Sequence, residues 1–506
     1  MSKPATTPTV IDFKHLQRNL WTRKYLTSIL DFDGETVAPP LGAAARAEAM
    51  GVLAEEEHAL TCSQAAQDMV AELTRAAEAG ELDEQTATEL AVFARDQREA
   101  LALPADEVAS WARLTSEANA VWHKAKADND WATLAPYIDR IVEALKRQAS
   151  YLDSTRDPYD VWLDQYERGM DTAAYDAFFS QVKETVVPLV HEIAEHDHEE
   201  LPSFMTAHVP SSVQLQIARD LLELEGIDME GCALACVEHP FSDGFAPGDV
   251  RVTTHIYEND AFNNVFSVMH EGGHAIYEAN VDPAYAYTCL SSGTSMGIHE
   301  SQSRFFENYI GRNHAFASPL LDVMRKRVPG VYTDVTPEAL WRATNMARPG
   351  LIRMDADELT YPLHIMLRYD IERMLFAGEA KAADVPALWR SLTKDYLGLE
   401  VPDDTHGCLQ DTHWSGGSFG YFPSYALGSA YGAQYLDAMK RDGVDVDAAC
   451  AAGELAPVRG WLREKIWRWG RCKDAPELIE SACGAPFDAT FYCTYLERKF
   501  RDRYSL

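Results

Sequence analysis

Two histidines four residues apart constrain this chain more than any other feature. They lie in Val268-Met269-His270-Glu271-Gly272-Gly273-His274-Ala275. Only a helix makes the spacing useful. It sets His270 and His274 on one face, one turn apart, where both imidazoles can grip a single ion. Glu271 follows the first histidine, and its carboxylate is within reach of a water held by that ion. A helix, a metal and a base are therefore the starting point. The plain alternative is a helix with two surface histidines and no ion, and the rest of the chain has to decide between them.

Composition narrows the partners. Asp and Glu number 79 against 45 Lys and Arg, a net charge of -34. Such a surface repels phosphate backbones and anionic lipid, which argues against nucleic acid and membrane. No apolar run approaches the length needed to span a bilayer. Met1–Pro8 is polar and lacks the apolar stretch of a signal peptide. Nine cysteines are spread thinly, and the close pair Cys232 and Cys236 has no second pair beside it. That pattern fits free thiols in a reducing cytoplasm better than a structural zinc site. With 506 residues and 46% hydrophobic content, the chain can bury a large core.

Most of the sequence reads as helix. Phe13, Leu16 and Leu20 recur at helical steps until Pro39-Pro40. Amphipathic runs follow over 43–58, 61–79, 83–103 and 106–127. Tyr137 to Tyr151 carries an apolar stripe of Ile138, Ile141, Leu145 and Tyr151. Asp157-Pro158-Tyr159-Asp160 reads as a turn, and 172–194 as a helix bent at Pro188. The texture changes at His239-Pro240-Phe241. Asp249 to Tyr257 then alternates as a strand, with Val250, Val252, Thr254 and Ile256 on one face. It leads through Glu258-Asn259-Asp260, a helix-capping cluster, into the histidine helix. A strand beside such a helix can offer free backbone groups to a peptide. Gly407 to Gly428 reads as a loop rich in glycine and aromatics.

A catalytic zinc usually has three protein ligands and a fourth position for water. Glu300 lies 26 residues after His274, on a later helix, and is the first choice for the third ligand. Glu307 is a rival on the same helix. Glu278, one turn past His274, is better placed to orient a histidine. Two neutral imidazoles and a carboxylate suit Zn2+, one per chain, with Co2+ or Mn2+ as substitutes. Glu271 would then act as general base for hydrolysis, as in zinc peptidases. The developing oxyanion needs a further donor, for which His413, Tyr421 and Tyr425 are candidates.

Several separated stretches resemble the thermostable carboxypeptidase family of zinc metallocarboxypeptidases typified by carboxypeptidase Taq. They are Asp249-Val250-Arg251-Val252-Thr253, His270 to His274, His299-Glu300-Ser301-Gln302, Ile352-Arg353-Met354-Asp355-Ala356-Asp357 and Gly407 to Trp414, with His239-Pro240-Phe241 beside them. The resemblance spans nearly the whole chain. It implies a mainly α, zincin-like body around a deep groove, with a small sheet beside the metal helix. The chain would be one domain over 1–506, with two helical halves flanking the groove. It implies a cytoplasmic homodimer that releases single C-terminal residues with broad preference. His270, His274 and Glu300 would be ligands and Glu271 the base. Arginine suits the free α-carboxylate of such a substrate. Arg353 is the first choice and Arg251 the second, although Arg353 could instead pair with Asp355 or Asp357. Tyr425, His239 and Gln302 join the substrate-binding candidates. One departure stands near the site: His255 occupies a position where the family often has arginine. A zinc oligopeptidase cutting internally is the competing reading.

Overall fold

The computed structural model describes residues 9–196 and 199–506. The polar stretch Met1–Pro8 lies outside the described residues. The described chain is mainly helical, with one three-stranded sheet. It forms two compact units, each assembled from three separate stretches.

The first unit comprises Met1–Ala102, His208–Thr294 and Glu454–Asp474. Its opening helix, Val10–Thr36, starts in a capping box. The Thr9 side chain takes the Asp12 N–H at 3.2 Å, and the Asp12 carboxylate takes the Thr9 N–H at 2.9 Å. Pro39 and Pro40 then prevent the helix from continuing. The next helix, Ala43–Cys62, contributes no buried side chain.

The sheet contains β1 (Cys232–Cys236), β2 (Ser242–Ala246) and β3 (Asp249–Thr254), in the order β1-β3-β2. The expected strand is present, shorter than its alternation suggests. β3 is central, parallel to β1 and antiparallel to β2. Its two edges are therefore taken, so a peptide cannot add to it; alternation reports which faces are buried, not which edges are paired. Asp260 caps the following helix, Ala261–Ala279, by accepting the Asn263 N–H at 3.2 Å. Val265, Val268, Met269 and Ile276 form the buried side of this helix, each stabilising by roughly 1.5–3 kcal/mol. The helix Ser211–Glu225 packs on it through Leu222 and Glu225, which lie against Gly272. A Cβ at Gly272 would overlap the Glu225 carboxyl.

The second unit comprises Leu103–Ala207, Ser295–Gly453 and Ala475–Leu506. Ile138, Ile141 and Leu145 of the helix Trp131–Leu152 are buried as the stripe predicts, but Tyr151, near its end, is 44% exposed. The segment after Asp157 is a helix, Pro158–Tyr166, rather than a turn. Asp157 caps it through the Tyr159 N–H, and proline sits at the first helical position, where its missing N–H costs nothing. Thr172–His196 runs as one helix with Pro188 inside it.

Glu300 belongs to the helix Met296–Arg304, which continues as π-helix over Phe305–Gly311. The helix Phe422–Arg441 starts inside the stretch that reads as a loop. Gly428 and Gly432, one turn apart on it, let its backbone lie against Glu300 and Tyr309.

Candidate metal and substrate site

The His270 and His274 rings project from one face of the helix Ala261–Ala279, with centroids 5.0 Å apart. One ligand atom from each, together with a carboxylate oxygen of Glu300, forms a group whose members all lie within 4.8 Å of one another. Two imidazole nitrogens and one carboxylate oxygen form a donor set that fits a divalent ion.

Glu300 is only 5% exposed. Its Oε1 accepts Nε of Arg304 at 2.8 Å and its Oε2 accepts Oγ of Ser303 at 3.2 Å. A Cβ at Gly428 would stand 2.5 Å from the Glu300 Cγ, so the Phe422–Arg441 helix also fixes this side chain. Glu307, the rival ligand, pairs with Arg304 at 3.0 Å within the π-helical stretch. Glu278 accepts the Gly293 N–H at 2.9 Å. Glu271, on the histidine helix, is 7% exposed.

A second group gathers around Arg353. Its Nε and Nη2 reach Asp411 Oδ1 at 3.2 and 2.9 Å, and its Nη1 donates to the Tyr361 hydroxyl at 3.3 Å. The partner is thus Asp411, not Asp355 or Asp357. Asp357 is occupied by the N–H groups of Arg348, Leu359 and Thr360. The Arg353 guanidinium lies 5.6 Å from the Tyr425 ring and 5.5 Å from Phe422. The Tyr361 ring also receives the Arg304 guanidinium at 4.3 Å. A chain of contacts therefore leads from Arg353 through Tyr361 and Arg304 to Glu300.

His413 stacks on Tyr421 at 5.7 Å, and the Tyr425 hydroxyl donates to that of Tyr421 at 3.2 Å. Burial, and next to it the charge of Arg353, pushes the His413 imidazole down to about 4. Burial raises the Tyr421 phenol, so it remains a proton donor at neutral pH. Glu372 braces this loop from below. Its carboxylate accepts Nε1 of Trp414, the Gly420 N–H and the Tyr159 hydroxyl at 2.7, 2.7 and 2.9 Å. Burial pushes it up to about 7 against the pull of those three donors.

The other proposed residues stand differently. Arg251 pairs with Asp249 at 3.1 Å and lies 4.1 Å from the Phe245 ring. His239 is exposed between β1 and β2. Gln302 is fully buried, and its amide donates to Ser301 at 2.7 Å on its own helix. It braces that helix, since a side chain without exposure has no route to a substrate. His255 packs on Tyr257 at 5.1 Å and bonds Asn263.

These arrangements can be set beside known proteins. The family model of carboxypeptidase Taq (M32) metallopeptidases matches residues 12–500. The chain belongs to this family. It is 37% identical over 479 residues to carboxypeptidase 1 of Bacillus subtilis, covering 95% of each chain. It is 34% identical over 486 residues to thermostable carboxypeptidase 1 of Pyrococcus furiosus, covering 96% of each. Among solved structures, the M32 carboxypeptidase of Deinococcus radiodurans superposes with a TM-score of 0.94 at 30% identity, over 97% of this chain and 99% of that one. The Pyrococcus furiosus carboxypeptidase superposes with a TM-score of 0.92 at 32% identity, over 98% and 100%. The chain is a metal-dependent carboxypeptidase, and a divalent metal belongs to its chemistry.

Sequence reasoning passed over Asp411, Arg368, Tyr361 and Arg304. Arg368 carried a signal: it stands in Leu363-His364-Ile365-Met366-Leu367-Arg368-Tyr369, the one full charge in a largely apolar stretch. Such a charge is buried only when paired.

Proposed function

We propose that this carboxypeptidase removes single residues, with broad preference, from peptides ending in a free carboxylate. His270, His274 and Glu300 would hold one Zn2+ per chain, with Co2+ or Mn2+ as substitutes. When bound, the ion supplies Lewis-acid polarisation of the scissile carbonyl and a more acidic water. Glu271 takes the proton of the attacking water and returns it to the departing amine. His413 and Tyr421 donate to the oxygen that gains charge. Arg353 receives the substrate carboxylate on its planar fork, with Tyr425 alongside.

The observation that carries this reading is the contact chain from Arg353 through Tyr361 and Arg304 to Glu300. It supports the reading because a buried arginine suited to a carboxylate is linked, through two intervening side chains, to a proposed metal ligand. Arg251 inherits the role if Arg353 does not perform it. A homodimer and a cytoplasmic location complete the proposal. Sedimentation velocity tests the first, and among the described residues no helix is long and apolar enough to cross a membrane.

Mass spectrometry of an unstructured peptide digested with purified enzyme tests the reading directly. A ladder shortening from the C-terminus, abolished by chelator and absent for the C-terminal amide, is expected. Internal cuts, or equal cleavage of acid and amide, would point to an endopeptidase. Glu271→Gln is expected to keep its metal and lose at least about a thousandfold in kcat; near-normal turnover would place the base elsewhere.

A further inference from the structure

Asp411 is one carboxylate serving two arginines. Its Oδ1 takes Nε and Nη2 of Arg353; its Oδ2 takes Nε of Arg368 at 2.8 Å, together with Nη2 of the same side chain. Arg368 is fully buried. Its remaining nitrogen, Nη1, donates to the His364 carbonyl at 2.6 Å, and its guanidinium lies 4.7 Å from the Trp389 ring. Each of its three nitrogens has a partner and the side chain has no exposure, so a substrate cannot reach it.

The surroundings do not cancel the second positive charge. Burial and the neighbouring guanidinium groups push His364 down to about 3, so it is neutral, as is His413. His364 Nε2 and His413 Nδ1 have no hydrogen-bond partner among the described residues. These five groups thus carry two positive charges and one negative. Burial works to raise the Asp411 carboxyl, but the two arginines outweigh it and hold it well below the usual carboxylate range.

A carboxylate that belonged to Arg353 alone would close on it as a two-pronged pair and occupy the fork a substrate needs. Such a pair would also be neutral and easier to bury. The observed arrangement gives Arg353 one oxygen only, shared by its Nε and Nη2, while its Nη1 donates to Tyr361.

We propose that Arg368 is a positioning residue for substrate capture: it draws half of Asp411 away, leaving Arg353 oriented yet with positive charge in reserve for the substrate carboxylate. This rests on the reading of Arg353 as the carboxylate receptor.

The test compares an acetylated peptide with a free C-terminus and its amide. It uses calorimetric binding to the metal-free protein, and KM and kcat on the metal-loaded one. Arg368→Met frees Asp411 to close on Arg353. The free-acid peptide is expected to bind at least about tenfold more weakly, with KM rising in step, kcat holding and amide binding unmoved. The double variant Arg368→Met/Asp411→Asn removes the competing carboxylate as well, and should return affinity to within about threefold of the parent. Unchanged binding by the single variant overturns the proposal, as does a double variant no better than the single. If Arg368→Met does not fold, Arg368→Lys carries the test: one donor in place of a fork should weaken free-acid binding about threefold, and parental affinity overturns the proposal. Arg353→Met separates the two readings. If it leaves the acid-over-amide preference intact, the receptor assignment itself has failed. If it abolishes that preference while the Arg368 variants do not alter it, only the positioning role has failed.

Discussion

His413 shows how a single buried side chain sets a pH response. Its folded-state value, about 4, lies below the 6.5 of an unperturbed imidazole. Below pH 6.5 the unfolded chain takes a proton that the folded chain refuses until about pH 4. This group therefore makes stability fall as pH drops through that window, and contributes no slope above it. Thermal unfolding followed from pH 7.5 to 4.5 should show a shallower decline in His413→Gln than in the parent; identical slopes would mean that folded His413 takes up its proton as readily as the unfolded chain does. The histidine pair was legible because helical periodicity turns a four-residue spacing into a shared face. Asp411 was not. It pairs with Arg353 across 58 positions, and local sequence carries no record of such a pairing. Asp355 and Asp357 were nearer in the chain, but the latter is spent on capping its own turn.

Elements were easier to find than their neighbours. The strand at Asp249 was readable from its alternation, yet its central place in the sheet was not, because pairing depends on β1 and β2 folding against it. The reading of 407–428 as loop failed at its end because glycine in a helix weakens propensity locally, whereas here Gly428 is required by packing. Gly428→Ala would normally favour a helix by about 1 kcal/mol. Here the added methyl meets the Glu300 side chain and backbone at 2.5 and 2.9 Å, so it should displace Glu300. The expected result is a metal affinity lower by about ten- to a hundredfold, measured by competition with a chelating dye; parental affinity would show that the two helices separate without moving the ligand. Gly272→Ala tests the back of the histidine helix. The Glu225 carboxyl it would strike is fully buried, neither oxygen has a hydrogen-bond partner among the described residues, and burial raises it well above the usual range. A loss of about 1–3 kcal/mol is expected from overpacking, read by denaturant unfolding; a gain in stability would show that Glu225 can move aside.

At the scale of the whole chain, the net charge of -34 repels itself when the molecule is compact. Raising NaCl from about 0.01 M to about 1 M shortens the screening length from about 30 Å to about 3 Å. The unfolding midpoint should rise by a few degrees, and a fall would mean that attractive ion pairs dominate instead. The predominance of helix was legible because periodic patterns recur throughout, but the way the chain alternates between two units was not, since no linker composition marks the changes. That alternation has a consequence for synthesis. The first unit lacks its last stretch until Asp474 has been made, and the second until the ribosome reaches Leu506. Neither can close on a nascent chain in the usual N-terminal-first order. The helix bearing His270 and His274 can pack on Ser211–Glu225 and the sheet as soon as that stretch is made, but the unit around it is completed only when the residues up to Asp474 join it.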